Sequence, residues 1–161
     1  MTKEEIIQKL NLVEHIEGGY FSETYRSLDK MPVDRVGKER NVMTSIFYLL
    51  TSDRPTDFFH KNISDVVHYF HWGSPLTYMI IHPDGKFEKI KLGMDINAGE
   101  VPQLTVKGGC WKAATLLNGE YGLLGEAVAP GFDYRDMQIA DETLLDEFPH
   151  LKDEIQDYIQ K

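Results

Sequence analysis

The sequence predicts an all-β protein, a sandwich or a barrel, with helices only at the two ends of the chain. Short apolar and aromatic runs recur at near-regular spacing through the middle of the chain. Pairs such as Asp84-Gly85 and Asn118-Gly119 separate several of these runs, as tight turns do between antiparallel strands. Helical spacing of apolar residues is confined to the beginning and the end.

The first element is predicted to be a short helix over about residues 2–10. Thr2 and Glu5 have the spacing of a capping box, in which each side chain bonds the backbone of the other residue. Gly18-Gly19 ends the helical region, and the run after it has the spacing of a strand. Residues 28–40 are polar and are predicted to form an exposed loop.

The middle of the chain is predicted to consist of strands. Residues 45–50 (SIFYLL) form a continuous apolar run that fits a buried strand or a helix fragment, and its aromatic residues together with the turn that follows favour the strand. Asp84-Gly85 predicts one hairpin. Asn118-Gly119, which has the strongest short hairpin signature, predicts another between the strands on either side.

The tail of the chain is predicted to be helical over about residues 138–160, and Pro149 is predicted to divide it into two helices. We expect a single domain over residues 1–161, with the barrel over about residues 17–132.

Composition limits the partners of the protein. The formal net charge of −9 argues against nucleic acid and against an anionic membrane surface, because phosphate contacts need clustered lysine and arginine. Cys110 is the only cysteine, so no disulfide forms within the chain, and we expect an inert interior thiol. The charged N-terminal stretch favours a cytoplasmic protein.

Residues 58–73 (FFHKNISDVVHYFHWG) hold three of the six histidines and are predicted to form two strands joined by a tight turn. Alternation along a strand places His60 on the same face as Phe58, and His68 on the same face as Val66. If these faces meet inside a barrel, the two imidazoles line an otherwise apolar pocket.

Several segments, in this order along the chain, resemble cupin superfamily 5. The resemblance covers about residues 10–140. It implies a double-stranded β-helix of the jelly-roll type, similar in fold to seed storage proteins and nucleotide-sugar epimerases, with one pocket inside the barrel and usually a homodimer. The segments are EGGYFSETYRS (17–27), SIFYLL, FHKNISDVVHYFHWG, LGMDINAGEVPQLTV (92–106), KGGCW and VAPGFDYRDMQIA (128–140).

The chain departs from the metal-binding pattern that the resemblance implies, in which histidines and a glutamate hold a metal. His60 occupies a ligand position, but Phe58 replaces its partner and Val66 stands in the place of the carboxylate. Lys112 lies near the place of the last histidine, and an ammonium group is no metal ligand. We therefore expect no metal cofactor, with one divalent transition metal on His60 and His68 as the alternative.

Two functions follow, both involving a small-molecule ligand. The first is a barrel that binds a small polar molecule, sugar-like or phosphorylated. The alternative is a metal-independent isomerase or epimerase of a carbohydrate-type substrate, in which His60 is the base and His68 or Lys112 assists. A third hypothesis is that the protein is a structural dimer whose pocket is vestigial.

The remaining site assignments concern aromatic residues and the other histidines. A buried histidine that only hydrogen-bonds a neighbour, and aromatic residues that only pack in the core, are the competing interpretations. The predicted ligand-binding residues are Phe58, Phe70, Gln103 and Trp111. The histidines expected at the surface or in turns are His15, His71, His82 and His150.

Overall fold

The computed structural model describes residues 1–161 and consists mainly of β-strands. The helices are α1 (Lys3–Lys9), α2 (Thr143–Glu147) and α3 (Lys152–Ile155). None of them is long and apolar enough to cross a membrane. The strands are β1 (Val13–Glu14), β2 (Tyr20–Arg26), β3 (Lys30–Pro32), β4 (Glu39–Asn41), β5 (Thr44–Thr51), β6 (Thr56–Asn62), β7 (Asp65–Gly73), β8 (Leu76–Ile81), β9 (Phe87–Leu92), β10 (Gln103–Val106), β11 (Trp111–Thr115), β12 (Tyr121–Ala129) and β13 (Met137–Ile139).

Two antiparallel sheets form a jelly roll, which confirms the predicted fold class. The six-stranded sheet has the order β1-β2-β5-β12-β7-β10, and the five-stranded sheet has the order β13-β6-β11-β8-β9. Strands β3 and β4 form a separate ribbon. The chain passes repeatedly from one sheet to the other, so residues that are close in sequence often lie on opposite walls of the barrel.

Three local predictions are confirmed: the cap of the first helix, the hairpin at Asp84-Gly85 and the division of the helical tail. Glu5 donates its backbone N–H to Thr2 Oγ1 at 3.3 Å, and Thr2 donates its own to Glu5 Oε2 at 2.8 Å, which is the predicted capping box. Asp84-Gly85 joins β8 and β9, which pair directly as a hairpin. Pro149 begins a 3-10 turn after α2, so the helical tail is divided there.

The second predicted hairpin is wrong. Asn118-Gly119 does join two consecutive strands, but β11 pairs with β6 and β8, whereas β12 pairs with β5 and β7 in the other sheet. Residues 58–73 do belong to two strands joined by a short turn, as predicted, and these strands, β6 and β7, also lie in different sheets. A tight turn reverses the chain locally, but the pairing partners of each strand depend on the whole barrel.

Two other boundaries also differ from the predictions. Residues 28–40 contain the β3–β4 ribbon instead of only an exposed loop, and Arg40 within this ribbon is buried against Asp136. Met137–Ile139, at the start of the predicted helical tail, pairs with β6 as an edge strand. Pairing with an exposed sheet edge outweighs the local preference of such a short segment.

The apolar core has three parts, namely two layers on the two faces of the five-stranded sheet and a smaller cluster in which Ile6 of α1 packs against Leu49 of the six-stranded sheet. One layer fills the barrel and includes Tyr48, Leu76, Tyr78, Leu92 and Leu124. The other lies between the outer face of the five-stranded sheet and the tail, and includes Phe59, Met79, Trp111, Leu144 and Ile155. The tail therefore covers one sheet from outside, and the interior of the barrel is left to the side chains of the two sheets.

Candidate functional site

A partly open cavity of about 520 Å³ lies between the two sheets. It is lined by residues of β2, β5, β6, β7 and β12 together with the loops that flank β2 and β12. Its apolar lining residues are Phe21, Ile46, Val66, Val128, Phe132 and Tyr134. Its polar lining residues are His15, Glu17, Glu23, Arg26, Thr44, His60, Asn62, Glu126 and Asp133. An apolar wall with a few inward polar groups is typical of a small-molecule site.

Glu17 reaches the cavity because of the glycine that follows it. Gly18 has φ +112°, and a Cβ at this position would lie 2.0 Å from the carbonyl oxygen of Thr56. Glycine thus allows the turn to pack directly against β6, where Phe58 donates its N–H to the carbonyl of Glu17 at 2.7 Å. The carboxylate of Glu17 then lies 3.3 Å from His60 Nε2.

A β-bulge brings a second carboxylate to His60. Along the β6–β11 pair, Lys112 lies opposite His60 and Ala114 lies opposite Asp57, so β6 carries one extra residue between these positions. The bulge changes the phase of alternation and puts Asp57 on the same face as His60, with Oδ1 3.5 Å from His60 Nδ1. Both side chains are buried.

The hydrogen bonds of His60 determine its tautomer. Nδ1 lies 2.8 Å from the carbonyl oxygen of Phe58, which can only accept, so Nδ1 carries the proton. Nε2 therefore presents its lone pair to Glu17. Burial, reinforced by the charge of Lys112, lowers the pKa of His60 to about 3, so the imidazole is neutral at pH 7.

In the contact with His60, Glu17 is the protonated partner. Burial raises the pKa of Glu17 to about 8, although the positive charge of Lys112 acts in the opposite direction. Burial likewise raises the pKa of Asp57 well above its usual range, with the nearby Glu17 adding to the effect. At neutral pH the Glu17 carboxyl group is therefore protonated and faces the unprotonated Nε2 of His60.

His68 belongs to a second group of side chains, a charged one, which also contains Glu126 of the six-stranded sheet and Lys112 of the five-stranded sheet. Its Nδ1 lies 3.2 Å from Glu126 Oε1, and the hydroxyl of Tyr78 also lies 3.2 Å from that nitrogen. Its Nε2 lies 3.3 Å from the Nζ of Lys112. Although burial opposes ionisation of Glu126, Lys112 and His68 hold the pKa of that carboxyl below its usual range. Lys112 thus donates to His68, and His68 donates to an ionised Glu126.

The structure separates the predicted site residues into two groups. His60 lines the cavity, and His68 and Lys112 are buried behind Glu126. The lining contains none of the predicted ligand-binding residues, Phe58, Phe70, Gln103 and Trp111.

Trp111 lies on the opposite face of its strand, in the layer under the tail, with Lys61 Nζ 4.3 Å above its ring. Phe70 packs against the barrel core, and Gln103 is exposed on β10. These placements correct the predicted contacts, because β11 presents alternate residues to the two faces and puts Lys112, not Trp111, inside the barrel.

Four functional residues escaped the sequence reasoning. His15 is in a turn, as predicted, but it is buried beside Phe21 and lines the cavity. Glu17 belongs to the EGGYF segment, which offered a signal. The position of Asp57 beside His60 depends on the bulge in β6, and the position of Glu126 beside His68 depends on the pairing of β12 with β7. Neither position could be predicted from spacing along the chain. The expectation that the barrel lacks a carboxylate beside its histidines is therefore wrong.

One group of side chains has the composition of a metal site. Glu17, Asp57 and His60 each offer one ligand atom, and the three atoms lie within 4.8 Å of one another. Asp57 Oδ1 is buried without a hydrogen-bond partner. The donors suit a divalent cation, but Lys112 places a positive charge close to all three residues.

Comparison with known proteins assigns this chain to a family. The family model described as Cupin superfamily (DUF985) matches residues 4–140. The uncharacterized protein YML079W of Saccharomyces cerevisiae is 40% identical in an alignment of 146 positions that covers 83% of this chain and 72% of the yeast protein.

Solved structures agree with this match. A hypothetical protein from Leishmania major has a TM-score of 0.93 at 30% identity, with 100% of both chains covered. Protein SO0799 from Shewanella oneidensis has a TM-score of 0.91 at 32% identity, covering 99% of this chain and 98% of the other. More distant structures, at 14% and 16% identity, share only the fold. The chain belongs to the cupin superfamily, in the DUF985 family.

Proposed function

We propose that the barrel binds a small, uncharged polar molecule in the cavity beside Glu17 and His60. The observation that carries the proposal is the cavity of about 520 Å³, which combines an apolar wall with buried hydrogen-bonding groups. Pockets of about 300–1,000 Å³ with this lining are typical of small-molecule sites. The Glu17–His60 pair offers both a donor and an acceptor, as a hydroxyl or carbonyl group of a ligand requires.

The charges of the lining favour a neutral ligand over a phosphorylated one. Arg26 is the only cation in the lining, and its guanidinium donates to Glu23, to Asn41 and to the carbonyl of Phe132. Lys112 is buried against His68 and does not line the cavity. Since Glu126 is ionised, a phosphate would meet a negative charge with no free cation to bind it.

The proposal is tested with a panel of neutral polyols, sugars and nucleosides, each alongside its phosphorylated form, by thermal shift and calorimetry. Val66→Phe fills the cavity, whereas Val67→Phe places the same ring on the other face of β7 and is the matched control. We expect neutral compounds to stabilise the wild type and Val67→Phe but not Val66→Phe. Tighter binding of the phosphorylated forms, or equal binding to both variants, would contradict the proposal.

Proton transfer is the second candidate function, and one observation favours it. Glu17 has a pKa of about 8, near neutral pH, and its carboxyl group lies 3.3 Å from the unprotonated Nε2 of His60. His60 is a weak base because its pKa is about 3. The acid/base role therefore suits Glu17 better than His60, which would orient the Glu17 carboxyl group. A carbohydrate isomerase or epimerase needs such a group next to a carbonyl carbon.

Hydrogen exchange in D₂O separates the two candidates. Compounds that bind the wild type are incubated with the protein, and loss of the proton next to the carbonyl is followed by NMR. If the protein is a catalyst, the wild type exchanges this proton, and Glu17→Gln slows the exchange at least about 100-fold, which is a typical contribution of a general acid or base. The variant should still bind the compound. Exchange that persists in Glu17→Gln would exclude this role, and binding without exchange would leave a binding protein.

A further inference from the structure

Lys112 is a charged side chain in the interior of the barrel. It is 2% exposed and lies on β11 directly opposite His60. The neighbouring residues on β11, Ala113 and Ala114, are small and buried. A buried ammonium group is costly unless polar partners surround it. Its position therefore requires that the interior of the barrel supply those partners.

The partners are groups that ligate metals in other proteins. Nζ lies 3.3 Å from His68 Nε2, and His68 in turn contacts Glu126. The charge of Lys112 also acts on Asp57, which lies on the neighbouring strand β6, and on Glu17, which lies in the turn before β2. The charge of Lys112 thus acts on three carboxyl groups and two imidazoles of the barrel interior, which are the kinds of groups that hold a divalent cation in other proteins.

The Glu17–Asp57–His60 group has two further features of a cation site. Asp57 Oδ1 is buried and has no hydrogen-bond partner. His60 donates its Nδ1 proton to a backbone carbonyl and keeps Nε2 free, as histidines bound to metals do. The three residues thus offer donor atoms within 4.8 Å of one another, and Lys112, opposite His60 on β11, is the cation whose charge acts on all of them.

We infer that the ammonium group of Lys112 takes the place of a metal ion in this barrel. It supplies the positive charge that balances Glu126, and it repels a divalent cation from Glu17, Asp57 and His60. Removal of this charge would uncover a divalent-cation site on those three residues. This inference does not depend on the proposed ligand, since it concerns only the groups of the barrel interior.

The test is a calorimetric titration of the full chain with Zn²⁺ alone at neutral pH. Lys112→Met removes the ammonium group and keeps an unbranched side chain, and Lys61→Met removes a lysine from the opposite face of the same sheet as the matched control. We expect Lys112→Met to bind one Zn²⁺ per chain at least about 100-fold more tightly than the wild type or Lys61→Met. Adding His60→Gln to Lys112→Met should abolish the gain.

Two results would overturn the inference. One is stoichiometric Zn²⁺ binding by the wild type that His60→Gln removes, since the metal and the ammonium would then coexist. The other is a Lys112 variant that folds, as judged by circular dichroism, and shows no gain in affinity. If Lys112→Met does not fold, Lys112→Gln replaces it, because its amide can still donate to His68. We expect the same gain in Zn²⁺ affinity from Lys112→Gln.

Discussion

Glu17 shows how a single residue acquires its chemistry from its surroundings. In the turn before β2 it would be an ordinary surface carboxylate, but Gly18 brings it against β6 and buries it beside His60. Burial then favours the protonated form. The acid therefore owes its protonation to the fold.

The protonation of Glu17 predicts a pH dependence of stability. Its pKa is raised from 4.5 to about 8, so between these values the folded protein binds a proton that the unfolded chain has lost. The stabilisation is complete below about pH 4.5 and is lost as the pH rises through about 8, so the free energy of unfolding decreases over this range.

Glu17→Gln should remove this dependence, since an amide donates to His60 without titrating. Urea unfolding at pH 5 and pH 9 should show a loss of a few kcal/mol in the wild type, about 1.4 kcal/mol per pKa unit, and a smaller loss in the variant. Glu147→Gln, at an exposed position, should behave like the wild type. Identical pH profiles for the wild type and Glu17→Gln would contradict the assignment.

Gly18 itself allows a second prediction at this scale. Gly18→Ala combines a positive φ with a Cβ that would lie 2.0 Å from the backbone of Thr56, so we expect a loss of more than about 3 kcal/mol in the free energy of unfolding. Gly99 also has a positive φ, of +83°, but open space around it. Gly99→Ala should therefore cost only about 1 kcal/mol. Equal losses in urea unfolding would show that the contact with Thr56 is unimportant.

At the scale of the elements, β6 connects the site to the tail. Its bulge places Asp57 and His60 on the cavity side, and Phe59 points to the other face, where the helices of the tail cover it. The tail is thus packed on the strand that carries the site. Short helices such as α3 gain their stability from this packing instead of from their own length.

The packing of the tail is tested at Ile155, which is fully buried in that layer. Ile155→Ala should reduce the free energy of unfolding by about 2–5 kcal/mol, because it leaves a cavity among well-packed side chains. Ile96→Ala, at a position that is 69% exposed, should change it by less than about 0.5 kcal/mol. A loss below about 1 kcal/mol for Ile155→Ala would mean that the tail contributes little to the core.

At the scale of the whole molecule, the two sheets differ in what covers them. The tail covers the five-stranded sheet, whereas Tyr25, Tyr69 and Trp72 of the six-stranded sheet are exposed. The homodimer implied by the family resemblance remains a prediction. Light scattering should give twice the mass of one chain, and Tyr69→Arg should shift the mass toward one chain if this sheet forms the contact. A monomeric wild type would contradict the dimer.

Local structure and fold class could be predicted from the order of the residues alone. Thr2 and Glu5 were enough to predict the helix cap, Asp84-Gly85 was enough for its hairpin, and alternation along the strands placed His60 and His68 on inward faces, where both are buried. Each of these features depends on residues within a few positions of one another, where backbone geometry and alternation act directly.

The groups that surround these two histidines depend on strand pairing and on packing across the barrel. The bulge in β6 shifts alternation by one residue and brings Asp57 beside His60, and strand pairing brings Glu126 from β12 to His68. Spacing along the chain carries no information about distances across a barrel. The carboxyl groups and the buried ammonium of Lys112 come together because two sheets close around them, and burial then sets their protonation.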